Sequence, residues 1–133
     1  MKNLRLKALV LFVTAGFASC SNDDEPTIIL KKSLVTEVTG PTTANLNEEI
    51  TLDVTFKVDG NCDVFNKFNE KQVENTKTIE VETREEGTTC DKTPATKKAH
   101  YKFKAAAAGT YILKFKMSET EFVTHTIIVS TPS

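Results

Sequence analysis

The 133-residue chain contains no tryptophan, two tyrosines and two histidines. Flat aromatic platforms for sugars therefore have little to be built from. The two histidines give a Ser-His-Asp arrangement no supporting spacing. Glycine occurs five times and never as a phosphate-binding cluster, which removes the nucleotide loops. Basic residues are not in excess. The 17 Lys and Arg stand against 18 Asp and Glu, so a cationic face for nucleic acid is excluded. The apolar run 8–16 falls far short of the roughly 20 residues that a membrane span needs. The length leaves room for one ordinary domain and not two.

What is present is ordered along the chain. Lys2, Arg5 and Lys7 precede the apolar run, and the small residues Ala18 and Ser19 follow it, which marks 1–19 as an export signal. Without that segment the chain carries 14 basic and 18 acidic residues, a net charge of −4. Anionic partners held by charge alone are disfavoured. Cys20, directly after Phe17-Ala18-Ser19, resembles the end of the lipobox of bacterial lipoproteins, with Phe17 where Leu is more usual. The resemblance implies that Cys20 receives lipid and becomes the first mature residue. A plain secretory signal with a stray thiol is the alternative. The stretch Ser21-Asn22-Asp23-Asp24-Glu25-Pro26 is polar and cannot pack a core, so 20–32 is expected to be a flexible tether. Asp23, Asp24 and Glu25 resemble the acidic export tag of Bacteroidetes surface lipoproteins. That implies an outer-membrane lipoprotein displayed on the cell surface, with a periplasm-facing anchor as the alternative.

Cys62 and Cys90 remain. An even pair in an exported domain predicts a disulfide. It closes the 29 residues of 62–90, for which loop entropy gives about 3–4 kcal/mol. Two thiols without further ligands at suitable spacing do not make a zinc site.

Period-two patterning fills the rest. Ile50, Leu52, Val54, Phe56 and Val58 alternate with Thr51, Asp53, Thr55 and Lys57, which predicts a half-buried strand over 50–58. Further strands are predicted over 34–38, 64–69, 77–84, 97–104, 110–117 and 122–130. Gly40-Pro41 and Asp59-Gly60-Asn61 are turn signals. Abundant Thr, Val and Ile favour the same class. Seven short strands over 33–131 predict a β-sandwich or a barrel. Gly109-Thr110-Tyr111 resembles the tyrosine corner of immunoglobulin-like and fibronectin-type sandwiches. Asn47-Glu48-Glu49 resembles the turn between the first two strands of bacterial immunoglobulin-like modules. Together they imply a seven-stranded, antiparallel immunoglobulin-like β-sandwich. Strand alternation then puts the loops carrying Cys62 and Cys90 at one end, and the tether enters at that same end.

Few residues offer chemistry. Asp59, Asn61, Asp63 and Glu70 match positions 1, 3, 5 and 12 of a calcium-binding loop, but Val64 stands where Gly is needed. The same residues read as a polar turn entering a strand. His100 and His125 are expected on different sheets. Lys97, Lys98, Lys102, Lys104, Lys114 and Lys116 suggest either one basic face or an ordinary charged exterior. The sequence therefore predicts no catalytic residue, no cofactor and no metal site. It predicts a lipid-anchored module that binds a surface protein or glycan without enzymatic activity. The alternatives are an accessory subunit of an outer-membrane complex and a dedicated glycan-binding module.

Overall fold

The computed structural model describes residues 28–87 and 89–132. The signal 1–19, Cys20 and the acids Asp23, Asp24 and Glu25 lie outside the described residues. Within them the chain is all β, with nine strands and no helix: β1 Ile29–Ser33, β2 Val35–Thr39, β3 Thr43–Asn45, β4 Ile50–Val58, β5 Asp63–Val73, β6 Thr76–Glu85, β7 Ala95–Phe103, β8 Gly109–Lys116 and β9 Phe122–Ser130. The expected count of seven is corrected by two additions. β3 is only three residues long, too short to show a period. β1 lies inside the expected tether, so the sheet begins at Ile29 and not at 33.

The strands form two sheets. The smaller runs β2-β4-β7. In the larger, β5 pairs along its whole length with β6. The other side of β6 is shared. Its first half runs parallel to β8, from Thr76 opposite Ile112 to Ile79 opposite Phe115. Its second half runs antiparallel to β1, from Ser33 opposite Val81 to Ile29 opposite Glu85. β9 follows β8, and β3 pairs parallel to β9. The expected wholly antiparallel arrangement therefore fails at two pairings. The placement of β6 also departs from the ABED and CFG sheets of immunoglobulin constant domains, where the third strand neighbours the sixth. Here the fourth long strand of the expected seven takes that place and leaves β5 at the edge.

The sheets meet through their alternating apolar faces. Leu52, Val54 and Phe56 of β4 face Ile79 and Val81 of β6, Leu113 and Phe115 of β8, and Ile127 of β9, all inaccessible to solvent. Each such side chain contributes about 1.5–3 kcal/mol by leaving water. β5 reaches this core by an irregularity. Phe65 and Phe68 are three apart and would point to opposite faces of a regular strand. A register shift between Phe65 and Lys67 brings both inward. Ring centroids then step from Phe56 to Phe65 at 6.1 Å, to Phe68 at 4.7 Å, to Tyr101 at 5.1 Å and to Phe115 at 5.5 Å. That aromatic chain closes the side of the core where β5 and β7 are open edges.

The tyrosine-corner geometry is present. The Tyr111 hydroxyl donates to the carbonyl of Ala107 at 2.7 Å, tying the start of β8 to the loop before it.

Candidate functional site

The pleat of β1 puts Lys31 on the same face as the buried Ser33, opposite the buried Thr83 of β6. A lysine facing the core needs partners. Its Nζ lies 2.9 Å from Asp63 Oδ1, 3.1 Å from Glu85 Oε1 and 3.8 Å from Asp59 Oδ2. Lys92 pairs with the other oxygen of Glu85. Asp63 is itself buried, and its second oxygen accepts the Asp59 backbone N–H at 2.8 Å. Burial pushes the Asp63 carboxyl up, but the Lys31 hydrogen bond, the Asp59 N–H and the charges of Lys31 and Lys92 outweigh it and hold the group below its ordinary range. Hydrogen bonds from Lys92 and Lys31 hold Glu85 low as well. The Asp63 hydrogen bond holds the Lys31 ammonium above its ordinary value.

This ion cluster underlies a closed pair of loops. Cys62 and Cys90 are bonded, with Cα atoms 5.6 Å apart. Beside them Asn61 N–H donates to Asp91 O at 3.0 Å, and Asp91 N–H returns to Asn61 Oδ1 at 2.9 Å. Gly60 makes the approach possible, because a Cβ there would lie 2.2 Å from Asp91 O. Lys97 of β7 donates to the Asp63 carbonyl. The 58–63 and 89–97 segments are thus joined by a disulfide and hydrogen bonds, and through Lys31 and Glu85 by a chain of ion pairs.

Two shallow recesses flank this pair. One of about 340 Å³ is lined by Lys57, Val58, Asp59, Pro94, Ala95 and Thr96. The other, about 320 Å³, includes Gly60, Asn61, Asp91 and Thr93. Both combine an apolar floor with backbone and short polar groups, which is the chemistry of a binding surface. The nearby carboxylates of Asp63 and Glu85 are committed to lysines.

The structure separates residues that the sequence grouped. Asp59 and Asp63 of the calcium pattern do converge, but on Lys31. Asn61 turns to Asp91. Glu70 accepts from Tyr101 Oη at 2.7 Å and pairs with Lys77, seven residues along β5 from Asp63. Among the described residues no group of three or more His, Cys, Asp or Glu has metal-holding geometry. His100 binds Asp53 at 2.8 Å on the smaller sheet, and His125 faces the Pro41 carbonyl at 2.8 Å on the larger. The six lysines do not make one basic face, because β7 and β8 belong to different sheets. Burial and the Glu70 contact push the Tyr101 hydroxyl well above its ordinary range.

Sequence reasoning missed Lys31, Glu85 and Asp91. Ile29-Leu30-Lys31-Lys32-Ser33 shows no apolar alternation, so nothing in the sequence marked Lys31, which lay within the expected tether. The last two are ordinary surface acids until the loops meet. No family model, curated protein or solved structure gives a match to this chain, so the geometry carries the functional argument.

Proposed function

We propose that this chain is an exported, lipid-anchored, immunoglobulin-like module that binds a partner at the cell surface and performs no catalysis. The observation that carries the binding surface is the closed loop pair 58–63 and 89–97, fixed by Cys62–Cys90 and by the reciprocal Asn61–Asp91 bonds. Loops held in one shape before a ligand arrives leave less ordering cost at binding. The immunoglobulin-like reading draws on the Tyr111 corner and the β2-β4-β7 sheet, with the position of β6 as a variation on it. The anchor reading draws on Phe17-Ala18-Ser19-Cys20, and surface display on the acids that follow.

Two measurements test the parts. Protease added to intact cells removes a surface-displayed domain, seen by immunoblot against a lysed control. Protection in intact cells and loss after lysis would move the partner search to the periplasm. Substituting Thr93→Arg fills the recess beside Asn61 and Asp91 from an exposed position. It is expected to abolish capture of the surface partner while leaving the melting temperature unchanged. Unimpaired capture would place the binding surface elsewhere.

A further inference from the structure

The large apolar side chains left in water are unevenly spread. Ile28, Ile29, Leu30 and Leu34 are 55%, 49%, 60% and 42% exposed, all within seven residues of chain at one corner. Elsewhere among the described residues only Val73, Met117 and Ile128 are comparably exposed, and they are far apart in sequence. The corner has a structural cause. β1 pairs with β6 on one side, and the strands that continue the sheet, β8 and β9, pair with the other half of β6 and with each other. The open edge of β1 is therefore flanked by apolar residues. Lys32 and Lys57 border it, the latter sharing a recess with Leu34.

We propose that this corner rests in the headgroup region of the membrane that carries the lipid anchor. The inference depends on the anchor reading above, and chain length supplies the reason. Seven residues, 21–27, lie between Cys20 and Ile28. The eight steps from Cys20 to Ile28, at 3.3–3.6 Å each, span at most about 29 Å, so this corner cannot leave the neighbourhood of the bilayer. An apolar cluster with lysines at its border is the composition of an interfacial contact, with the lysine stems along the apolar surface and the ammonium groups at the phosphates. Leu30 pairs opposite Arg84 on the outer face of the larger sheet, whereas Lys57 and Thr96, opposite each other, border the larger recess from the outer face of the smaller sheet. The contact sets the stance of the domain on the membrane.

The absence of tryptophan makes the test direct. Single reporters Leu30→Trp and Ile28→Trp are compared with Val73→Trp, at the opposite end of the domain. The mature protein is purified from membranes and reconstituted in phosphatidylethanolamine–phosphatidylglycerol vesicles containing brominated lipid. Emission from the first two is expected to shift to the blue and to be quenched several-fold more than that of the third. Equal quenching at all three sites, with lipid present on Cys20 by intact mass, would overturn the docking and leave the anchor standing. An intact mass without lipid would overturn both. A blue shift that grows with protein concentration and resists brominated lipid would identify a second copy on the corner and overturn the docking.

Discussion

The two ends of the domain are fastened by different physics. At the end where the chain enters, a disulfide, a lysine between three carboxylates and the two Asn61–Asp91 hydrogen bonds fasten the long loop 86–94 to the turn 59–62. At the far end the connections are short. Asn47 adopts a left-handed conformation and donates to the Ala105 carbonyl at 2.8 Å. The Asn75 carbonyl accepts from Ile112 N–H at 2.9 Å, and Tyr111 holds Ala107. Short turns lose little entropy on closing, so single hydrogen bonds, here to neighbouring segments, suffice to hold them. A loop as long as 86–94 buries too little apolar surface to order itself, and the entry end supplies cross-links instead.

The largest test of that contrast is removal of the disulfide. Cys62→Ser with Cys90→Ser is expected to cost about 3.5 kcal/mol, from loop entropy over a sequence separation of 28. Chemical denaturation with and without reductant reads this. A loss well under 1 kcal/mol would mean that the ionic and backbone links already order the loops.

Lys31→Met should cost about 3 kcal/mol, because Asp63 stays buried without its cation. Acid should weaken the same end. Asp63 and Glu85 titrate below their ordinary values of 3.8 and 4.5 in the folded chain. Their stabilisation is present above those ordinary values and is lost as pH falls through the folded ones. Lys31 contributes below 10.5, and its share is lost on going above its raised folded value. Melting temperature should therefore fall on acidification below about pH 4.5 and fall less steeply in Lys31→Met. Parallel acid profiles for the two proteins would refute the assignment of this cluster.

Gly60→Ala sharpens the comparison by forcing the loops apart at Asp91. The expected cost is about 2 kcal/mol, with faster amide exchange confined to the entry end. The smallest effect belongs to the far end. Tyr111→Phe deletes one hydrogen bond and should cost about 1 kcal/mol, with no change in exchange around Cys62 and Cys90. A larger loss there would reverse the ranking of the two ends.

Much of the fold was legible. The strand over 50–58 coincides with β4, and that over 122–130 with β9, because both alternate over nine residues. The disulfide pairing followed from cysteine count and strand parity. Other features resisted for definable reasons. β5 was read as ending at 69, since Glu70-Lys71-Gln72 carries no apolar alternation, yet the hairpin with β6 continues through Val73. The strand expected over 110–117 ends one residue early, so Met117 leaves the alternation and is 38% exposed. The calcium pattern failed because its match was sequential, whereas the carboxylates are shared among Lys31, Lys77 and Tyr101 by the packing of separate strands.

The sequence by itself determined the all-β class, the main strands, their inward faces and the cysteine pair. These follow from local alternation and from composition, which neighbouring residues carry. Only the tertiary structure decided that β6 lies parallel beside β8, that β1 completes the sheet, and that Lys31 sits among the acids Asp59, Asp63 and Glu85 at the entry end. Those outcomes depend on which strand edges meet across long stretches of chain. Alternation is indifferent to that choice, since a period of two fixes the face a side chain occupies and leaves its neighbour open.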